Sequence, residues 1–394
     1  MNVPKLRFKE FNDEWRKYKV EEILKISNGI NKGKEFFGSG TPIINYMDVN
    51  KNELISHNIV KGLVIANSKE LETFNVKKGD ILFTRTSETS DEIGLSSSVI
   101  ENIDKCIFSG FILKGTQTKN FIHHYFGGYY FRNPKMRKEI IKHSSITTRA
   151  LTSGNLLAQM SISIPTIIEQ EKIGKTLSLL DKKIELQNKK IEDLKLFKKG
   201  LIDYIIKNIE TEKIPLKNIL VEQNYKTTKN NEYEILSSTA KGIYLQKDYF
   251  NKQAASDNNI GYKILKKNQL VLSPQNLWMG NININKEYNI GIVSPSYKVF
   301  NINDNIDINF FNYWIKSAKA LYKYKISSEQ GASIVRRNLN MDLFYEIVAD
   351  IPKGKWQNEI GKIIKLLDLK VQYNENSLQK LLVLKKGLMQ NMFV

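Results

Sequence analysis

The chain has 394 residues, too many for one ordinary hydrophobic core, and 41% of them are hydrophobic. Lys and Arg number 60 against 41 Asp and Glu, a formal charge of +19. That excess is the footprint of a polyanion binder, because neutralising phosphates releases condensed counterions, although a composition rich in Lys, Asn and Ile together is also what an AT-rich genome would write.

From its first residues the chain reads as a cytoplasmic protein. The opening MNVPKLRFKEFNDEWRKYK is charged throughout and has no apolar signal core. No apolar run reaches the ~18–20 residues of a membrane span. A single cysteine, Cys106, excludes an internal disulfide and any cysteine cluster for zinc, and argues for a reducing compartment.

Residues 1–160 and 211–350 are studded with short β-branched and aromatic runs broken by Gly, Asn and Ser. GDILFTRTSE (79–88), CIFSGFILKG (106–115), NQLVLSPQNLW (268–278) and GIVSPSYKVF (291–300) predict strands joined by polar loops. A helix is expected late in each segment, around 119–142 and 307–325. Each segment is therefore expected to be a mixed α/β (α+β) domain.

Residues 161–210 and 351–394 follow a different rhythm. Ile173, Leu177, Leu180, Ile184, Ile191 and Leu194 alternate in steps of four and three, with a polar Gln187 on the same line. Ile360, Ile364, Leu367, Val371, Leu378 and Leu381 do the same, with Asn374 at the polar step. This narrow stripe is a coiled-coil seam, and an Ile-Pro pair before each run suits a helix entry. Gln187 and Asn374 fit a register pin between the two helices, with a locally wetter seam as the competing account.

The two helical segments are copies. KIGKTLSLLDKKI (172–184) matches EIGKIIKLLDLKV (359–371), Gln170 answers to Gln357, and the KKGL of 198–201 answers to the KKGL of 385–388, all at an offset of 187 without a gap. Solenoid repeats recur at roughly 20–50 residues, so this spacing means duplication of a domain plus a helix. The domains match more loosely: VKKGDIL (76–82) resembles LKKNQLV (265–271), and Arg149 falls 187 residues before Arg336. The loops after that shared strand, FTRTSETSDEIG and LSPQNLWMGNIN, are unlike. A common scaffold carrying two different polar loops is what two different targets require.

No catalytic constellation emerges. All eight prolines are isolated, which leaves no Asn/Asp-Pro-Pro-aromatic stretch of an amino-methyltransferase, and no GxxxxGK[ST] phosphate loop occurs. DKKIE (181–185) lies on a coiled-coil helix and reads as a solvated charged face. His123 and His124 fall within the helix expected at 119–142 and read as packing or surface residues. The expectation is a binding protein without enzymatic activity.

Two unlike α/β domains, each followed by a long helix, resemble one family over essentially the whole chain: the specificity subunits of type I restriction–modification systems. The resemblance rests on IPTIIEQEKIGKTLSLLDKKI (164–184), its partner IPKGKWQNEIGKIIKLLDLKV (351–371), and the start PKLRFKEFNDEWRKYKVEEI (4–23). The second helix departs from the pattern at GKWQNE (354–359), where the first has IIEQEK. Membership implies target-recognition domains at 1–160 and 211–350, each reading half of an interrupted, asymmetric double-stranded DNA sequence. It implies helical spacers at 161–210 and 351–394, pairing as an antiparallel coiled coil within a pseudo-twofold body. Two methyltransferase subunits would dock on them, and two motor-nuclease restriction subunits can be added. S-adenosylmethionine, ATP and Mg²⁺ would belong to those partners, with no cofactor or metal on this chain and no membrane contact. About 36 helical residues would make a rod of roughly 54 Å, enough to hold two readers one or more DNA turns apart, at ~34–36 Å per turn.

Within each domain the candidate DNA contacts lie in the unlike loops. Arg85 suits bidentate contact with a guanine edge, flanked by Thr84, Thr86 and Ser87 for phosphate or base. Gln275 and Asn276 suit adenine or mixed readout, and Trp278 could stack or pack on sugar. Arg149, Arg336 and Arg337, in SSITTRAL and GASIVRRNL, are candidate contacts for which a structural ion pair is the competing account. Three rival functions remain: a recognition subunit of a related system that cuts beside its site, a scaffold that binds nucleic acid without sequence preference, and a hidden metal-dependent nuclease.

Overall fold

In the computed structural model, residues 2–146, 149–249, 258–330 and 337–394 are described. The chain forms two compact units, one of Met1–Lys189 with Asn376–Val394 and one of Lys190–Glu375. The boundaries fall inside the two long helices, Ile167–Lys207 and Trp356–Asn391, so each helix contributes its first part to one unit and its last part to the other.

The first unit is built on a five-stranded sheet in the order Leu24–Asn28, Ile112–Gln117, Ile81–Thr84, Ser96–Val99, Leu54–Ile55, antiparallel except for the last pair. Its central strand is buried on both faces, as a run of ILFT requires. Ile81 and Phe83 enter a core with Phe126, Tyr130 and Phe131, whereas Leu82 enters a second cluster with Phe108 and Val99. The second unit repeats the first four strands in the same order, as Leu220–Gln223, Lys298–Ile302, Leu270–Leu272 and Ile282–Ile284. Leu270 and Leu272 face its main core and Val271 a smaller cluster. The fifth strand, Leu54–Ile55, has no counterpart in that sheet among the described residues.

The shared strand is introduced by the same turn in both units. Asp80 Oδ2 accepts from the Lys77 amide at 2.8 Å, and Gln269 Oε1 from the Lys266 amide at 2.7 Å. Gly79 and Asn268 occupy equivalent left-handed positions, φ +92° and +67°, a conformation that glycine and asparagine tolerate best. Lys77, Lys78, Lys266 and Lys267 are exposed on these turns.

Each segment's late helix is broken into two. Phe126–Tyr130 is followed by Pro134–Lys142, capped by Asn133, and Ile308–Trp314 is followed by Ala318–Ile326, capped by Ser317. An N-cap with Pro at the first helical position starts a new helix rather than continuing the old one. His123 and His124 consequently precede the first short helix instead of lying within one.

The repeated residues of the long helices are those that attach them to the domains. Gln170 accepts from the His123 amide at 2.9 Å and donates to the Phe121 and Pro165 carbonyls. Gln357 accepts from the Asp307 amide and donates to the Asn305 carbonyl. Gly174 and Gly361, equivalent positions of the repeat, mark close approaches: a Cβ would lie 2.6 Å from the Tyr125 carbonyl carbon in one and directly against Asp307 Oδ1 in the other.

None of the fourteen seam positions is exposed, but the seam is not helix-to-helix throughout. Ile173 and Leu177 belong to the first unit's main core, and Ile360 and Ile364 to the second's. At the far ends, Ile202 enters the second core, and Met392 and Phe393 the first. Of the two polar positions, Asn374 is buried with its Nδ2 on the Lys370 carbonyl at 2.7 Å, and Gln187 is half-buried.

Between these anchors the helices cross-link in antiparallel sense within each unit. Lys385 binds Asp181 at 2.7 Å and lies 5.8 Å from the ring of Tyr129, whose hydroxyl donates to Asp181 at 2.7 Å. In the second unit Lys198 binds Asp368 and lies 6.0 Å from the ring of Tyr313. The repeated LLD and KKGL are thus the two halves of one clasp, made twice. Asp181 is correspondingly withdrawn from the solvated face expected of DKKIE, while Lys182, Lys183 and Glu185 remain exposed.

Candidate nucleic-acid interface

In the first unit, the strand Ile81–Thr84 ends where the candidate loop begins. Thr84 is fully buried; its hydroxyl donates to the Glu92 carbonyl at 2.8 Å and accepts from the Leu95 amide at 2.9 Å. The expectation that Thr84 faces DNA is therefore corrected: both functions of its hydroxyl close the base of the loop. Ser87 is also buried, its hydroxyl shared between Glu92 and the Thr89 amide. Thr86 is half-buried.

Arg85 is half-buried, its backbone amide on the Phe111 carbonyl at 2.9 Å and its Nη1 3.5 Å from the Gly110 carbonyl. Thr86 and Ser87 pair with Leu151 and Ala150, and the Thr152 amide donates to the Arg85 carbonyl at 3.0 Å. Two stretches chosen separately from the sequence, around Arg85 and around Arg149, are thereby neighbours, with Arg149 exposed. Beneath them Arg137 donates to the Asp91 and Ile93 carbonyls. Burial, reinforced by Arg132, lowers its pKa to about 10.

The second unit brings its candidates together in a parallel way. The Arg337 amide donates to the Gln275 carbonyl at 3.2 Å, and the guanidinium lies 5.2 Å from the Trp278 ring. Gln275 is exposed, Asn276 and Trp278 half-buried. Arg337 thus covers a face of Trp278, a stack worth about 0.5–2 kcal/mol depending on desolvation. Arg336 lies outside the described residues.

The sequence reading missed Phe111, 61% exposed beside Arg85, and Leu151, 41% exposed on the paired strand. A large aromatic in the SGF turn next to a strand end was the available signal. Apolar side chains beside a candidate DNA-contacting arginine are of the kind that meets a thymine methyl or a sugar.

The single cysteine is buried. Burial raises the Cys106 thiol to about 12, so it carries almost no thiolate at neutral pH. Among the described residues no group of three His, Cys, Asp or Glu is placed to hold a metal, and no helix is long and apolar enough to cross a membrane.

Residues 12–196 match the family model of the type I restriction modification DNA specificity domain. Over 209 residues the chain is 27% identical to a protein of Methanocaldococcus jannaschii assigned as the MjaX type I restriction enzyme specificity subunit. That match covers 51% of this chain and 47% of the relative, so the chain spans about half the length of the curated relative it matches. Among solved structures, a type I restriction–modification S subunit from M. genitalium superposes with a TM-score of 0.59 at 17% identity, covering 100% of this chain and 99% of that one. A chain from a structural study of complex assembly and conformational transition in a type I system gives 0.55 at 11% identity, covering 96% and 97%. These two likenesses establish the fold.

Proposed function

We propose that this chain, which resembles the specificity subunits of type I restriction–modification systems, reads an interrupted and asymmetric DNA sequence for such a complex. One half of the target is read by the loops around Arg85 and Arg149, the other by those around Gln275, Trp278 and Arg337. The observation that carries this reading is the pairing of sameness and difference. Both units share the turn, the four-strand order, the glutamine anchors and the clasp, yet after the common strand they present unlike loops beside an arginine-bearing segment. Recognition by differing loops on a rigid frame has that form, and the net charge of +19 supplies the sequence-independent attraction to phosphate.

Two methyltransferase subunits and two motor-nuclease subunits would assemble on the helical parts, bringing S-adenosylmethionine, ATP and Mg²⁺ with them. The chain itself contributes address rather than chemistry.

Methylated bases should be mapped in genomic DNA from cells expressing this chain with the methyltransferase of its system. A split, asymmetric methylated motif that vanishes on deleting the chain is the expected result. Methylation unaffected by the deletion would remove the specificity role and leave a DNA-binding scaffold.

A further inference from the structure

The clasp has a third member in the first unit, with no counterpart among the described residues of the second. Glu53, immediately before the extra strand Leu54–Ile55, binds Lys385 at 2.8 Å. Burial alone would raise its pKa, but Lys385 and the neighbouring Arg132 outweigh it and hold the carboxyl below its ordinary range. Arg132 stands just before the cap of Pro134–Lys142, donating to the carbonyls of Ser96, Asn50 and Asn52.

Lys316 stands in the same place in the second unit, just before the Ser317 cap of Ala318–Ile326. Its Nζ donates to the Gly280 carbonyl at 2.8 Å and the Ala240 carbonyl at 3.3 Å. Among the described residues no fifth strand and no counterpart of Glu53 arrive there. A pocket of about 510 Å³ opens there instead, lined by Lys195, Lys198, Lys199, Lys316, Tyr313 and Asp368 among others. Lys195 is answered by Glu375 and Lys198 by Asp368. Among the described residues the partners of Lys316 are carbonyls, and burial lowers its pKa to about 8. A place filled from within by a carboxylate in one copy is an open, lysine-lined pocket in the other.

We propose that this pocket binds a phosphate group of the DNA backbone, with Lys199 and Lys316 as its principal cations. The proposal rests on the DNA-binding reading and makes the grip of the two units unequal: the second holds phosphate where the first holds its own Glu53. An ammonium neutralising one phosphate contributes close to one unit to the salt slope of binding.

The test is binding of the chain to a short duplex, by fluorescence anisotropy across a range of salt concentrations. Ala318→Glu is the variant of choice. Ala318 is exposed, lines the pocket and opens a helix, where a carboxylate is favourable for the fold, so loss of folding does not confuse the result. Ala318→Glu and Lys199→Ala should each reduce the slope of log K against log salt by about one and weaken binding several-fold, while Ala318→Gln leaves both unchanged. Calorimetry with inorganic phosphate separates the sources. Binding of free phosphate that Ala318→Glu abolishes, with an unchanged DNA slope, would overturn a backbone ligand in favour of the free ion. An unchanged slope with weakened capture of the methyltransferase subunit would overturn it in favour of an acidic protein group. If Ala318→Glu is silent while Arg85→Ala and Arg337→Ala lose affinity, the pocket alone is wrong. If the unmodified chain does not bind the duplex, the DNA reading falls with it.

Discussion

The two units solve one structural problem with different electrostatics. In the first, Lys385 is enclosed by Glu53, Asp181 and the ring of Tyr129, with side-chain exposures of 20%, 23% and 28% for the three charged groups. In the second, Lys198 is as covered, at 19%, but its partner Asp368 is 47% exposed. The carboxylates of the first clasp also differ from each other. Burial raises Asp181 more than its bond from Lys385 lowers it, whereas Glu53, with Arg132 as a second cation, is lowered. Duplication therefore preserved the geometry of attachment while releasing the charges around it. The repeat keeps what holds the frame together, and the charges around the clasp are what diverged.

The largest expected effect breaks this comparison at the clasp. Lys385→Ala strands two carboxylates in a partly buried site and should cost about 3 kcal/mol. Lys198→Ala leaves one carboxylate that water can reach and should cost about 1 kcal/mol. Urea denaturation of both variants reads the difference, and equal losses would mean that Glu53 adds nothing to the first clasp.

The paired glycines sharpen it further. In Gly174→Ala the new methyl meets backbone, at 2.6 Å from the Tyr125 carbonyl carbon and 2.8 Å from the Phe126 amide nitrogen, which cannot yield without moving a helix start; about 2 kcal/mol should be lost. In Gly361→Ala it meets the Asp307 carboxylate, which caps Ile308–Trp314 by accepting from the Asn309 and Phe310 amides. That side chain can turn away at the expense of its cap, about 1 kcal/mol. The same denaturation experiment should rank Gly174 above Gly361.

Much of the frame was legible because it repeats. The LLD and KKGL phrases, the glutamines and the glycines all turn out to hold contacts that occur in both units, so identity of sequence reported identity of role. The strands around residues 81 and 270 were legible from β-branched runs after a Lys-Lys turn. The broken helices were not, although NP at 133–134 was a cap and a first-turn proline in plain view; the apolar runs on either side read as continuous because both halves face the same core. Glu53 and Lys316 escaped for a different reason. The clasp's outer members align at an offset of 184 rather than 187, as Tyr129 with Tyr313 and Arg132 with Lys316 show, and a gap-free comparison at 187 passes over them. In the candidate interface, proximity of Arg85 to Arg149 is a matter of strand pairing across more than sixty residues, which no local pattern encodes.

At the loops the comparison becomes one of half-sites. Arg85→Ala should lose about 1–3 kcal/mol at the first half-site and leave the second untouched, and Arg337→Ala should do the reverse. Binding to duplexes altered in one half at a time measures both. Equal loss at both halves from either variant would show that the arginine grips phosphate or supports the fold rather than reading a base.

The smallest effect expected concerns acid. His123 and His124 lie 4.2 Å apart between ring centroids, their rings tilted by 34°, in front of Phe126–Tyr130. Burial, then the charge of His123 and of Lys78, with Lys175 adding to it and Glu171 opposing, lowers His124 to about 4, and His123 is lowered as well. The residues that align with them in the second unit at the offset of 184, Asp307 and Ile308, include no imidazole. A histidine whose folded pKa lies below its ordinary value of about 6.5 leaves the unfolded chain binding more protons between the two values. Stability contributed by neutral His124 is therefore complete above about pH 6.5 and is lost as pH falls toward about 4. His124→Gln should flatten the stability profile over that window by a few tenths of a kcal/mol while leaving stability at pH 7 nearly unchanged. An acid limb with the same slope in the variant would place the sensitivity in carboxylates that both units share, and the two copies would then respond to acid alike.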